Sequence, residues 1–194
     1  SVPASHGILF DLPAEARLAF KQLQLMTGKP VLYVANVGEE EAATGNELAA
    51  RVAEKAKAEN TSAVVIAAAI EAEVAVLPNA EEQKEFLGAL GLSEPGLNRV
   101  IRAGYQLLDL LTFFTVGPKE ARAWTVRRGA SAPEAAGVIH TDFQRGFIRA
   151  ETIDYASYLQ FKGEQGAKDA GKMRQEGKEY IVQDGDIFHF RFNV

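Results

Sequence analysis

The chain has no cysteine among its 194 residues. That excludes disulfides, a disulfide-linked partner and thiolate metal sites. The three histidines, His6, His140 and His189, are far apart, with no pair at i, i+4 spacing, so no imidazole metal site is expected. No run approaches the roughly 18 consecutive apolar residues of a membrane span. Ser1 to Phe10 have no basic start and no long apolar core, which argues against a secretory leader. A cytoplasmic protein with no membrane partner is the simple expectation. There is no internal repeat, no low-complexity linker and no evident Ser/His/Asp arrangement.

What is present suits one or two soluble domains, with 47% hydrophobic residues. Charge is uneven. Residues 119–194 carry 12 Lys/Arg against 11 Asp/Glu, whereas residues 1–118 carry 9 against 15. The net values, +1 and −6, make the C-terminal part the better candidate for a nucleic-acid face.

Asp11-Leu12-Pro13 reads as a helix start, with Leu12, Ala16, Ala19/Phe20, Leu23 and Met26 at helical spacing and Gly28 and Pro30 as the stop. The apolar runs 31–35 and 63–67 predict strands buried on both faces of a parallel sheet. Between them, residues 46–59 predict a helix capped by Asn46, with Leu48, Val52 and Ala56 on one face. Strand–helix–strand is the unit of a parallel α/β sheet. Two strands form no stable sheet alone, so this part reads as a fragment of a larger sheet. Helices are expected over 80–90 and 93–111, the second presenting Leu97, Val100/Ile101, Leu107/Leu108 and Leu111. The pattern then changes to short strands: 112–116 and 121–127 flanking Gly117-Pro118, then 147–153, 180–182 and 186–192, with a short helix over 133–139. Phe113, Phe114 and Trp124 alternate with polar residues and read as core. The expected organisation is residues 1–80, a helical connection over 81–111, and an α+β domain over 112–194.

The C-terminal part carries Trp124-Thr125-Val126-Arg127-Arg128-Gly129, His140-Thr141-Asp142-Phe143, Arg145-Gly146-Phe147-Ile148-Arg149-Ala150-Glu151 and Gln183 to Asn193. This series resembles the TGS domain of the Obg-like ATPases, the YchF subfamily of P-loop NTPases. The resemblance extends back to Lys29-Pro30-Val31-Leu32-Tyr33-Val34-Ala35-Asn36-Val37. It implies an α/β remnant of a P-loop G domain followed by a β-grasp. It also implies ATP with Mg²⁺ as cofactors of the intact protein, slow ATP hydrolysis there, and a ribosome or RNA partner.

The same resemblance singles out Asn36-Val37-Gly38-Glu39, at the end of the first predicted strand, where G domains carry an Asn-Lys-x-Asp base-reading motif. Obg-like ATPases have Asn-x-x-Glu there, which implies a preference for ATP over GTP. An ionised carboxylate only accepts hydrogen bonds, and adenine lacks the ring N–H and 2-amino group that guanine offers it. Asn36 offers a donor and an acceptor, matching adenine N7 and the exocyclic amine. Val37 supplies an apolar contact, and Glu39 completes the motif. After the second strand, Ala67 stands where G domains place a Ser. Ala68 is the expected backbone contact to the base, with a plain small-residue turn as the competing reading.

Gly166-Ala167-Lys168-Asp169-Ala170-Gly171-Lys172-Met173 has P-loop spacing, but Met173 stands where a Mg²⁺-binding Ser or Thr is required, and no apolar strand precedes it. No other Walker-type motif occurs, so these 194 residues are not expected to hydrolyse ATP. Arg127, Arg128 and Arg145, at strand ends and a turn, are the candidate RNA contacts. The rival reading is a non-enzymatic RNA- or ribosome-binding adaptor built on the TGS domain.

Overall fold

A computed structural model describes residues 13, 16, 19 and 22–193. Most of the helix expected from Asp11 lies outside the described residues. The chain divides into two compact units, Ser1–Leu108 and Asp109–Val194.

In the first unit, β1 (Tyr33–Asn36) and β2 (Ala63–Ile66) pair in parallel, in register from Tyr33 opposite Ala63 to Asn36 opposite Ile66. A 3₁₀ turn, Glu39–Glu41, and α1 (Glu47–Ala58) connect them. Asn46 caps α1, its side-chain oxygen accepting from Ala49 N at 2.9 Å. The buried face of α1 is Ala49 and Ala56, with Val52 half-buried. Leu48, expected on that face, is 65% exposed. Spacing identified the stripe, but small residues that permit close approach won the contact over a larger apolar neighbour. The strands also depart from expectation. Val34 is 45% exposed and Ala35 only half-buried, so β1 is not covered on both faces.

Three more helices follow: α2 (Ala68–Val76), α3 (Ala80–Ala89) and α4 (Gly96–Leu107). No helix is expected from sequence at α2, which has no side-chain cap and no clear apolar stripe. The helix expected over 93–111 is longer than α4. Pro95 sits at its N-cap, and the chain leaves the helix at Asp109, whose φ is 55°. Gly96 and Ala103 form the buried face of α4, while Leu97 and Ile101 point to solvent. Lacking a side-chain cap at Pro95, α4 is capped from a distance: Glu71 of α2 accepts from Gly96 N at 2.7 Å and Leu97 N at 3.1 Å. A Cβ on Gly96 would lie 2.9 Å from that carboxylate and 3.0 Å from Ile66. The core of this unit is Ala42, Ala67, Ile70, Val74 and Leu87, with Val37, Phe86 and Leu92 packed against it.

The second unit is a mixed sheet of β3 (Leu110–Val116), β4 (Ala121–Arg127), β5 (Phe147–Asp154), β6 (Arg174–Glu176) and β7 (Asp186–Phe192), in the order β4-β3-β7-β5-β6. β3 and β4 form the expected hairpin, closed by Gly117 N donating to Glu120 O at 2.9 Å. Next come α5 (Ala132–Ile139), α6 (Thr141–Arg145) and β5. α5 opens on a capping box, with Glu134 accepting from Ser131 N at 2.7 Å. α6, α7 (Tyr155–Gln160) and the short β6 carry no sequence expectation, while α8 (Glu164–Asp169) covers the start of the P-loop-like segment. β7 then enters the middle of the sheet, parallel to β3 and antiparallel to β5. Residues 180–182 are not a sheet strand. Tyr180 O accepts from Ala132 N, and Val182 N donates to Ala130 O, so the segment braces the entry to α5 through an isolated bridge.

Phe113, Phe147, Phe188 and Phe190 fill the core between the sheet and α5, whose Ala132, Ala135 and Ala136 are fully buried. Alanines let the helix lie close to the aromatic layer. Phe113 meets Phe188 edge to face at 5.6 Å between ring centroids. Trp124 is partly buried and donates to Thr115 Oγ1 at 2.8 Å. Gly166 sits inside α8 because a Cβ there would fall 1.9 Å from Phe161 O. Packing thus accounts for the first glycine of the P-loop-like spacing, and the segment is helix and turn, with Lys172 exposed.

Asp186 is buried and accepts from Gln183 N and Tyr180 OH, both at 2.9 Å, with Arg174 3.6 Å away. Burial pushes its carboxyl above the usual range despite these donors. Burial and the bond to Asp186 push the Tyr180 hydroxyl up to about 12.

Candidate functional site

The carboxyl ends of β1 and β2 lie side by side, which places the loops that follow them together. Asn36, the last residue of β1, is exposed. Its Oδ1 accepts from Ala68 N, the first residue of α2, at 2.9 Å. Val37 N continues the ladder to Ile66 O at 2.9 Å. Three of the residues singled out from sequence, Asn36, Val37 and Ala68, therefore meet at one point. They do so across 32 positions of sequence that local patterns do not bridge.

The geometry alters the individual roles. The Ala68 N–H is spent on Asn36 and is not a free donor. Asn36 Nδ2 makes no hydrogen bond among the described residues, so it is the group offered outward. Val37 turns its side chain to the core cluster around Ala42 and Ile70. Glu39 is exposed on the 3₁₀ turn, with no hydrogen bond to Asn36 or Ala68 among the described residues. The carboxylate that orders this turn belongs to Glu41, which accepts from Asn46 Nδ2 at 2.8 Å and Gly38 N at 3.3 Å. Sequence reasoning missed Glu41, although Glu41 and Asn46 flank the start of α1.

In the second unit, Arg127 ends β4 opposite Leu110 and is exposed. Arg128 Nε lies 3.2 Å from Asp109, and its backbone N donates to Asp109 O. Arg145 ends α6, 4.0 Å from Asp142, with its side chain 81% exposed. Exposed pairs of this kind contribute about 0–1 kcal/mol and yield readily to another anion. The fold assembles a further basic group in this unit. Arg149 and Arg191 are opposed in the β5–β7 register and share one carboxylate, Glu151, at 3.8 and 3.0 Å. The Arg191 guanidinium holds Glu151 below the usual carboxylate range. Only the cross-strand register reveals this group.

Among the described residues, no helix is long and apolar enough to cross a membrane. The family model YchF-GTPase_C, described as a protein of unknown function (DUF933), matches residues 110–193. The chain is 55% identical over 184 residues to a protein of Escherichia coli O157:H7 named ribosome-binding ATPase YchF, covering 95% of this chain and 50% of that relative. The protein of the same name from Bacillus subtilis (strain 168) is 55% identical over 186 residues, with the same coverage. The solved YchF GTPase of Schizosaccharomyces pombe superposes with a TM-score of 0.77 at 32% identity, over 93% of this chain and 48% of that one. A GTP-binding protein from Pyrococcus horikoshii OT3 superposes with a TM-score of 0.59 at 20% identity, over 94% of this chain and 51% of that one, a likeness of fold alone. The chain spans about half the length of the curated relatives it matches. Identity above one half along nearly its whole extent, together with the superposition on the yeast protein, places this chain in the YchF family, where it corresponds to the C-terminal half.

Proposed function

We propose that the first unit is the base-recognising part of a P-loop G domain and the second a TGS-type β-grasp. Together they would form the C-terminal part of an ATP-preferring NTPase, a hydrolase that works at the ribosome. The observation that carries the reading is the 2.9 Å bond from Ala68 N to Asn36 Oδ1 at the carboxyl ends of two parallel strands. It sets the Asn36 amide plane and leaves Nδ2 as the donor for adenine N7. An amide oxygen has two lone pairs, so Oδ1 retains one for the exocyclic amine. The exposed Ala68 methyl would offer the apolar contact, Val37 would hold the loop through the core, and Glu39, exposed on the 3₁₀ turn, would be an acceptor free to turn to the base. The central parallel pair β3–β7, with α5 packed across the sheet, supports the β-grasp reading.

The curated relatives are named ATPases, while the solved ones are titled GTPase and GTP-binding protein, so base choice is the point to test. ATP would bind with Mg²⁺, whose ligands and phosphate cradle are not supplied by these residues. In the longer protein carrying the P-loop, Asn36→Ala should weaken ATP binding by about 2- to 100-fold, the loss of one or two hydrogen bonds. Unchanged affinity by calorimetry removes Asn36 from the site, and tighter GTP than ATP binding overturns the base preference.

The partner reading places ribosomal RNA on the second unit through Arg127, Arg128 and Arg145. Phosphate contacts release counterions, with a log–log salt slope near −0.7 per single-strand contact. Changing all three to Ala should flatten the slope by up to about two units. An intact slope moves the partner surface elsewhere. If ribosome binding also proved indifferent to nucleotide, the non-enzymatic adaptor would be the better reading.

A further inference from the structure

A cleft of about 290 Å³ opens beside β2 in the first unit. Its walls are Ala42 to Gly45, the first three residues of β2, and Arg99 of α4. None of Asn36, Val37, Glu39 and Ala68 lines it, and it begins at the opposite end of β2 from them. Arg99 is the one charged residue in the lining.

Arg99 Nε is shielded from solvent and has no hydrogen-bond partner among the described residues. The Arg99 charge reaches Glu94, but that carboxylate bonds to Arg102 instead. A guanidinium is not deprotonated in proteins, so its buried N–H calls for an acceptor. The neighbouring backbone adds donors. β2 pairs only with β1 among the described residues. Tyr33 N donates to Ser62 O and Val37 N to Ile66 O, which turns both the N–H and the C=O groups of Ala63 and Val65 away from β1, along the free edge, where the N–H groups are the ones an anion would use. The Thr44 hydroxyl donates to Gly45 O at 3.2 Å and can be recruited. The remaining walls are methyl and isopropyl groups.

We propose that this cleft binds a small molecule bearing an oxyanion, either phosphate or carboxylate, with Arg99 as its anchor. The planar fork of the guanidinium matches both anions. Among the described residues, no acidic side chain lines the cleft, which disfavours cations. Its volume lies at the lower end of ligand pockets, about 300–1,000 Å³, so the ligand is small. The site shares no residue with the base-recognition loop and stands or falls independently of it.

The test is amide NMR on the ¹⁵N-labelled 194-residue chain at constant ionic strength. One arm is titrated with inorganic phosphate and the other with acetate. Saturable shifts at Thr44, Ala63 and Val65 are expected, and the tighter arm names the anion. Arg99→Gln should weaken that binding by about ten- to a hundredfold, the loss of charge-assisted hydrogen bonds. Shifts that never saturate in either arm, or unchanged affinity in a well-dispersed Arg99→Gln spectrum, would falsify the site. Should Arg99→Gln lose its dispersion, Arg99→Lys decides the matter. It keeps the charge but not the fork, so about tenfold weaker binding supports the site and unchanged affinity overturns it.

Discussion

The two units bury their apolar residues in different ways. The second closes a five-stranded sheet over four phenylalanines and three buried alanines of α5. Among the described residues, the first has two strands and a core of small and aliphatic side chains without a fully buried aromatic ring. It leaves Val76 81% exposed and Leu97 58% exposed. A central strand buried by neighbours on both sides forms a large shared core, whereas a two-stranded sheet forms little. The first unit relies instead on specific polar ties, Asn36 to Ala68 and Glu71 to the start of α4. The contrast is between a unit organised around an aromatic layer and one with a smaller aliphatic core whose loops and helix starts are tied by directed hydrogen bonds.

The largest expected effect tests the packing side. Phe113→Ala removes a fully buried ring that contacts Phe188 and Phe190. It should destabilise the second unit by about 3–5 kcal/mol in denaturant titrations. A loss under about 1 kcal/mol would mean that the aromatic layer is not what holds the unit together.

The polar side is broken at Glu71. Glu71→Ala leaves Gly96 N and Leu97 N without their acceptor, and should cost the first unit about 1–3 kcal/mol. Amide exchange should quicken at the first turn of α4. If protection there is unchanged, α4 is held by packing and the contrast between the units weakens.

The smallest effect is electrostatic and belongs to Asp186. Its folded carboxyl titrates above the unfolded one, so it contributes stability that is fully present below the unfolded value and lost as pH rises through the folded value. Comparison with Asp186→Asn isolates this group from Glu134, Glu151 and Asp154, whose carboxyls are held low and whose contributions are lost as pH falls. The stability of the native chain relative to the variant should therefore decline from acid toward neutral pH. A rise over the same range would show that Arg174 and the two hydrogen bonds outweigh burial.

Several elements were legible in the sequence for local reasons. The β3–β4 hairpin, β5 and β7 announce themselves by alternation of aromatic and β-branched residues, and α1 by its Asn46 cap. Elements whose signal is weak locally were not. α2 has no side-chain cap and no clear apolar stripe, and α6, α7, α8 and β6 are only three to six residues long. Of the candidate site, Asn36 and Ala68 were named from a resemblance, while the bond between them belongs to the fold.

By itself, the sequence determined the residue types and their short-range order: the apolar runs, the capping residues, the motifs that mark the YchF family, and the lack of a working P-loop in these 194 residues. These follow from period, propensity and side-chain chemistry within a few positions. Only the tertiary structure decided which apolar face is buried, as with Ala49 in place of Leu48. It alone brought Glu71 to the distant start of α4, set Arg149 opposite Arg191, and left Arg99 Nε beside an open cleft with no hydrogen-bond partner among the described residues. The physical reason is that burial and pairing are settled between elements far apart in sequence. There, close approach and hydrogen-bond satisfaction outweigh any local preference.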